Sequence, residues 1–390
     1  MNLRVNYINS LKGICCLLVF IGHMSSLFFP YVYFGTNYAM HSQIEKYLFE
    51  TPINILFNAP SALMCFLLLS GFLLPLSTFS NNGKVAVLSK WGEKYVRLAP
   101  MAILGCVLGW IVMKMDVVYS LRITDLTFSR NYTEWFNNFV PGNLLLSDGP
   151  LYDALINTFF DGCRYNAPLG TLKYIWIFSL LLLGLNKFCL KWKFRYILYM
   201  FLFAVSYLAG KYKYEYFYFG IMLLGLFICD IYYNPYKKYV LKRNSVLGIL
   251  CMIVGFILAS VPKGYPEHGF YHYFGYIHVT HYVFWAFGWG LIVIAVENLF
   301  LVRRVLENKV FLWVGDISFA VFAVHWPITI SLSSWMVLKG VQHTSYMRAA
   351  LFSMFLTVGL VIGVAWIVQH KVYKPLCQIE KGIIKKLENE

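Results

Sequence analysis

Apolar stretches of about 20 residues recur along the whole sequence, and each is long enough to cross a hydrocarbon core of about 30 Å. As a result, 59% of the 390 residues are hydrophobic and 13% are charged, whereas about a quarter of an ordinary soluble domain is charged. A soluble protein of this size has no interior large enough to hide so much apolar surface. The sequence therefore predicts an all-α integral membrane protein.

These stretches predict about ten transmembrane helices within a single membrane-embedded domain, residues 1–390. Short clusters of Lys and Arg separate many of them, which is typical of cytoplasmic loops. With the N-terminus inside, the alternation places most of these clusters in the cytoplasm, so both termini are predicted to be cytoplasmic. The predicted helices are 9–29, 53–76, 98–115, 171–190, 196–210, 216–233, 245–262, 277–300, 310–333 and 347–371.

The net charge of +15 is compatible with contact with nucleic acid or with membrane topology. Because the basic residues lie in separate loops rather than in one stripe, we interpret the charge as topology and predict no nucleic-acid binding. Nine cysteines are scattered without a C-x-x-C pair, mostly inside apolar stretches. We interpret them as small buried apolar residues and predict no metal site.

The longest stretch outside the predicted helices is an outer loop at about 116–170, and a cytoplasmic tail is predicted at about 372–390. The loop is rich in Asn, Gly, Pro and Asp and contains aromatic residues. Loops of this length are usually functional or disordered. The composition suits contact with a glycan, although the outer loops of many transporters are similar.

The first predicted helix carries two ionisable residues on one face. Lys12 and His23 are eleven positions apart, which corresponds to three helical turns plus about 20° and a rise of about 16 Å. This spacing puts Lys12 at the cytoplasmic mouth and His23 deep in the membrane, where ionisable residues are costly and often functional. A neutral imidazole there can act as a general base, and the lysine can hold an anionic group. The alternative is a structural histidine and a lysine that snorkels to the interface.

The ninth predicted helix carries a second histidine, His325, at a comparable depth. Pro327 follows and is expected to kink the helix and to free a backbone carbonyl near this histidine. Two histidines at matching depth favour a shared cavity. His23 and His325 are therefore the candidate catalytic residues of that cavity.

Three further residues are candidates for ligand contact. Ser70 next to Gly71 lets a slim ligand approach the backbone, although such small pairs more often serve helix packing. Lys94 and Arg97, three positions apart just before the third predicted helix, can clamp phosphate groups. Ordinary basic charge at a cytoplasmic loop is the alternative for this pair.

Taken together, these segments resemble the acyltransferase-3 family of integral membrane acyltransferases over nearly the whole chain. Four segments carry the resemblance: the Lys12 and His23 pair in helix 1, the SGFLL segment that begins at Ser70, the EKYVRLAP segment with Lys94 and Arg97, and the ISFAVFAVHWPI segment with His325.

The resemblance implies transfer of an acyl group, often acetyl from acetyl-CoA on the cytoplasmic side, to a hydroxyl of a cell-surface or lipid-linked glycan. It implies a multi-pass protein of a bacterial inner or cytoplasmic membrane whose partners are acyl-CoA, a glycan acceptor and membrane lipid. It further implies that His23 is catalytic and that Lys94 and Arg97 handle the CoA phosphates. We place Lys12 and Ser70 with them in the predicted donor site, and we expect His325 to hold the acceptor or the developing oxyanion.

Two departures from the family's pattern stand out. Lys12 stands where the family usually has Arg, which keeps the charge but loses the bidentate fork. Many relatives also carry P-L-W-S-L-x-V-E at the start of helix 4, where this chain reads PLGTLKYIW, with Gly170 in place of the Trp and Ile175 in place of the Glu. Either another acid such as Asp161 substitutes, or this subfamily works without the carboxylate, or activity is reduced.

A different class of function also fits ten helices and a large outer loop, namely a transporter, flippase or polymerase for lipid-linked sugars. That class predicts discontinuous helices or inverted repeats, and the sequence shows no internal repeat. A degenerate family member that binds without catalysing is a third alternative. For an enzyme, the acyl group passes either directly to the acceptor or through a brief stay on a side chain.

Overall fold

The computed structural model describes residues 5–80, 86–129, 149–236, 243–267, 269–277 and 279–378. In these ranges the chain forms helices and turns without β-strands. Ten helices have 15 residues or more, and one lies at each predicted range. They are α1 (Asn6–Phe28), α2 (Ala59–Ser80), α3 (Val87–Lys114), α4 (Leu172–Cys189), α5 (Arg195–Tyr212), α6 (Phe217–Tyr233), α7 (Ser245–Ala259), α8 (His281–Asn298), α9 (Lys309–Ile328) and α10 (Tyr346–Val368).

Seven helical segments of the described chain are long and apolar enough to cross a membrane. They contain α1 to α4, α6, α9 and α10, and an eighth exists if α8 forms one span with the preceding turn Phe270–Ile277, from which it is bent by 114°. Helix α7 has 15 residues, or about 22 Å, which is short of a hydrocarbon core of about 30 Å. The chain is a multi-pass membrane protein, while the count of ten crossings and the side of each terminus stay predictions.

Two helices, α2 and α3, begin more than five residues from their predicted starts. Helix α3 begins at Val87 rather than at residue 98, because its first turns are charged but still helix-forming, and a count of apolar residues misses them. Lys94 and Arg97 therefore lie inside this helix instead of before it. Helix α2 begins at Ala59 rather than at residue 53, because Pro52–Leu56 forms a separate 3-10 turn.

The chain forms two compact units, each assembled from three separate stretches. The first unit comprises Met1–Gly22, Tyr31–Gly92 and Tyr174–Gly315. The second comprises His23–Pro30, Glu93–Lys173 and Asp316–Glu390. Helix α1 therefore contributes residues to both units, and the single domain over 1–390 stays a prediction.

In the first unit, helices α2 and α6 approach each other at glycines. Gly71 of α2 lies against the carbonyl of Met222, and Gly225 of α6 lies against the carbonyl of Leu68. A Cβ at either glycine would overlap the facing carbonyl oxygen. Gly71 thus serves helix packing, which is the alternative that the sequence left open for the Ser70-Gly71 pair.

In the second unit, the segment before α4 lies against α3, again at glycines. A Cβ at Gly109 would overlap the carbonyl oxygen of Tyr165, and Gly105 lies against the side chain of Asn166. This contact holds the end of the predicted outer loop on the same helix that carries Lys94 and Arg97.

The predicted outer loop, about 116–170, is described at 116–129 and 149–170. There it forms short helical turns, among them Tyr119–Leu121, Thr124–Thr127, Asp153–Asn157 and Ala167–Thr171. Residues 130–148 of this loop and 379–390 of the predicted tail lie outside the described residues. Contact of the loop with a glycan stays a prediction.

Candidate active site

His23 of α1 and His325 of α9 meet in the second unit. Their rings are stacked, with centroids 5.3 Å apart and planes inclined by 10°. Nδ1 of His23 lies 3.0 Å from Nε2 of His325, although the two residues are 302 positions apart in the sequence. The structure therefore brings the two predicted catalytic residues together, and their catalytic roles stay predictions.

Hydrogen bonds determine which nitrogen of each ring carries a hydrogen atom. Nδ1 of His325 lies 3.0 Å from the carbonyl oxygen of Val321, and this nitrogen must donate because a carbonyl only accepts. In a neutral His325 ring, Nε2 is then an acceptor, so Nδ1 of His23 donates to it. Neutral His23 consequently carries its lone pair on Nε2, as a general base requires.

The two imidazoles differ in accessibility. His325 is fully buried, whereas the side chain of His23 is partly exposed. The buried Trp326 packs edge-on against His23, with ring centroids 5.7 Å apart. His23 is therefore the more accessible of the two residues, and the ring of His325 holds the ring of His23 through the hydrogen bond at Nδ1 of His23.

A proline shapes α9 beside His325. Because Pro327 has no N–H, the carbonyl of Ala323, four residues earlier, lacks its usual helical donor. Nδ2 of Asn166 donates to this carbonyl at 2.8 Å and to the carbonyl of Gly105 at 3.2 Å. The freed carbonyl predicted from Pro327 is thus confirmed, and Asn166 uses it to tie α9 to α3 two residues before His325.

The carboxylate expected from the family's pattern has no counterpart at its usual position, where Ile175 is buried. Asp161, the predicted substitute, is exposed, and its backbone carbonyl accepts a hydrogen bond from Nζ of Lys173 at 2.5 Å. The hydrogen bond that orients His325 runs from its Nδ1 to the carbonyl oxygen of Val321, which accepts it. A backbone carbonyl and a second imidazole thus hold His23 in the way that a carboxylate holds a catalytic histidine elsewhere.

Two of the predicted donor-binding residues, Lys12 and Ser70, lie in the first unit beside the same residue. Nζ of Lys12 is 5.7 Å from the ring centroid of Phe66, within the range of a cation–π contact. Oγ of Ser70 donates to the carbonyl of Phe66 at 2.8 Å. Their part in donor binding stays a prediction.

The other two, Lys94 and Arg97, lie in the second unit one turn apart on α3. Arg97 is exposed and Lys94 is partly exposed. The backbone carbonyl of Arg97 accepts a hydrogen bond from the hydroxyl of Tyr373 at 3.2 Å, which leaves the guanidinium able to bind phosphate. Their contact with CoA phosphates stays a prediction as well.

A separate cluster in the second unit joins Cys106 of α3, Asp153 and Cys163, all buried. The two Sγ atoms are 3.1 Å apart, and the Cys163 thiol donates to Oδ2 of Asp153 at 3.4 Å. Among the described residues it is the one group of three His, Cys, Asp or Glu side chains compact enough to hold a metal ion.

Sequence reasoning missed Asn166 and the Cys106–Cys163 contact. Pro327 signalled a freed carbonyl, but nothing in the sequence identifies a donor 157 positions away from Ala323. The burial predicted for the cysteines holds for eight of the nine. Burial alone gives no sign of which cysteines meet.

Comparison with known proteins adds one finding. The family model of acyltransferase-3, described as an acyltransferase domain, matches residues 5–368, nearly the whole chain. No curated protein and no solved structure matches the chain significantly.

Proposed function

Since the chain belongs to the acyltransferase-3 family of membrane acyltransferases, we propose that it moves an acetyl or other short acyl group from acyl-CoA to a hydroxyl of a cell-surface or lipid-linked glycan. The His23–His325 pair carries this proposal, because its hydrogen bonds place a basic nitrogen on the partly exposed ring. O-acyl transfer needs a base at the acceptor hydroxyl. Transport of a lipid-linked sugar does not.

In the proposed reaction, Nε2 of His23 takes the proton of the acceptor hydroxyl as the hydroxyl oxygen attacks the thioester carbonyl. The hydrogen bond from Nδ1 to His325 stabilises the imidazolium that forms. When the tetrahedral intermediate collapses, the CoA thiolate leaves and the proton on His23 passes to it. The products are the acylated glycan and CoA, and His23 is neutral again.

The donor is proposed to dock on the cytoplasmic side, with its phosphates at Lys94 and Arg97. The exposed guanidinium of Arg97 suits a bidentate contact with phosphate, and Lys94 adds a point charge one turn away. Lys12 and Ser70 keep their predicted role as donor-binding residues in this proposal.

We further propose that the chain is an active enzyme despite the missing Glu. The partner that a carboxylate would provide is supplied by His325, which is held by the carbonyl of Val321. A neutral imidazole stabilises the imidazolium less than a carboxylate does, because it brings no opposite charge. The base nevertheless keeps its orientation and tautomer.

Glycan acylation in cells with and without the gene tests the proposed function. Ester-linked acyl groups on surface glycan are measured by mass spectrometry in the deletion strain, the wild type and a strain complemented with the gene. We expect the esters to disappear on deletion and to return on complementation. Mild alkaline hydrolysis, which removes esters but spares amides, provides the control for O-linkage. Equal acylation in all three strains would contradict the proposal.

A further inference from the structure

Cys106 and Cys163 are two neighbouring thiols that the proposed acyl transfer does not use. Both side chains are buried and are free thiols in the structure. Their Sγ atoms are 3.1 Å apart, inside ordinary van der Waals contact, and a disulfide bond is about 2.05 Å long. The two sulfurs therefore need to move by about 1 Å to form a covalent bond.

Asp153 holds the turn that carries Cys163. Its carboxylate accepts the backbone N–H groups of Arg164 at 3.0 Å and of Tyr165 at 3.3 Å. Hydrogen bonds to an ionised carboxylate are stronger than those between neutral groups. The turn, and with it the position of the Cys163 sulfur, is therefore fixed by a buried side chain.

The turn that carries Cys163 packs against helix α3 at a glycine. A Cβ at Gly109 would overlap the carbonyl oxygen of Tyr165, so that the turn approaches this closely only where the helix has no side chain. Cys106 lies three positions before Gly109 and so on the same face of α3. The close approach of the two backbones explains why the two sulfurs meet.

The geometry fits a bond between the sulfurs better than a bound metal ion. Two thiolates on tetrahedral zinc, with Zn–S distances of about 2.3 Å, lie about 3.8 Å apart, whereas these sulfurs are 3.1 Å apart. Both oxygens of the third candidate ligand, Asp153, already accept the N–H of Arg164, at 3.3 and 3.0 Å. Asp153 thus has little remaining capacity to coordinate a cation.

We propose that Cys106 and Cys163 form a disulfide bond in the mature protein, which ties the end of the predicted outer loop to α3. Each thiol loses one proton, and the pair gives up two electrons that reduce a protein disulfide of the oxidising compartment to two thiols. The proposal rests on the predicted outer position of 116–170, which carries Cys163, because cytoplasmic thiols are kept reduced. Cys106 itself lies on α3. The bond joins residues 57 positions apart.

The bond forms before the turn packs onto α3. Burial raises the pKa of the Cys163 thiol, and the neighbouring Cys106 and Asp153 raise this pKa further. The thiolate that reacts in thiol–disulfide exchange is therefore scarce once the chain is folded. Burial also keeps soluble reductants from the finished bond, which makes it a structural disulfide rather than a redox switch.

Peptide mapping of the protein purified from its native membrane tests this proposal. The protein is denatured with an alkylating reagent and without reductant, and is then digested with trypsin. We expect a covalent pair of the peptides 98–114 and 131–164 that separates on reduction. Cys229 and Cys377 serve as internal controls, because both are expected to be alkylated as free thiols.

Complete alkylation of Cys106 and Cys163 in the unreduced sample would overturn the proposal. Zinc that copurifies with the protein in equal amount would overturn it too, since it would assign the thiols to a metal. As a second measurement, reduction is expected to lower the unfolding temperature of the wild type, whereas the Cys106→Ala/Cys163→Ala variant does not respond to reductant. Neither measurement follows acyl transfer, so failure of the disulfide proposal leaves the proposed function unchanged.

Discussion

An imidazole removes a proton only through the nitrogen that carries no hydrogen, so the tautomer of His23 decides what the ring can do. The hydrogen-bond chain from Val321 through His325 to His23 sets this tautomer by geometry. Each bond in the chain has a length of 3.0 Å. We therefore propose that His325 positions the ring of His23, a role that differs from the predicted contact with the acceptor or oxyanion and that is separable from the role of His23.

Substitution of His325 separates positioning from base chemistry. We expect His325→Ala to lower the rate of acyl transfer by about 10²-fold, at the lower end of the range for general-base catalysis, because the ring of His23 loses the acceptor at Nδ1. His325→Gln keeps an amide oxygen within reach of that nitrogen and should recover part of the rate. The measurement is kcat and KM in membranes with equal amounts of each variant. Equal rates for the Ala and Gln variants would argue against a positioning role.

At the scale of the element, α3 joins the two parts of the proposed mechanism. Its 28 residues span about 42 Å, which is longer than the hydrocarbon core of about 30 Å. The charged first turns with Lys94 and Arg97 are therefore expected near the edge of the core. The carbonyl of Gly105, further along, accepts a hydrogen bond from Asn166, whose segment is also tied to α9. The proposed donor binding near one end and the contact that positions α9 near the middle thus share one helix.

Binding of acetyl-CoA tests whether Lys94 and Arg97, in the first turns of α3, hold the donor phosphates. We expect acetyl-CoA at about 100 times its Kd to stabilise the purified protein by about 2.7 kcal/mol, and Lys94→Ala/Arg97→Ala to abolish the resulting thermal shift. Lys211→Ala/Lys213→Ala is the matched control, since it removes the same charge from exposed residues on the predicted outer side. Loss of the shift in both double variants, or in neither, would count against a phosphate site on α3.

At the scale of the whole molecule, the sequence predicts where the long helices lie. A helix that spans lipid must be apolar and must pair its backbone groups within the segment, and each predicted range overlaps one of the ten long helices. The ends of the helices are less predictable, as α3 shows, because charged residues continue a helix beyond the apolar stretch. Apolar length also encodes the matching depth of His23 and His325, which favoured a shared cavity, but it does not encode the packing that joins the two rings.

Contacts between distant segments could not be predicted. Asn166 and Ala323 are 157 positions apart, and Cys106 and Cys163 are 57 positions apart. A buried amide or thiol must find a partner, but its identity depends on how helices pack, and neither composition nor periodicity carries that information. The bond from Asn166 that fixes α9 beside His325 is therefore visible only in the structure.

The rate of acyl transfer by His23→Ala tests the central claim most directly. Membranes with equal amounts of wild type, His23→Ala or His343→Ala, an exposed-histidine control, are incubated with acetyl-CoA and surface glycan, and ester-linked acetyl is quantified by mass spectrometry. We predict a loss on the order of 10²–10⁴-fold for His23→Ala and an unchanged rate for the control. Acetylation by His23→Ala at the wild-type rate would contradict the account.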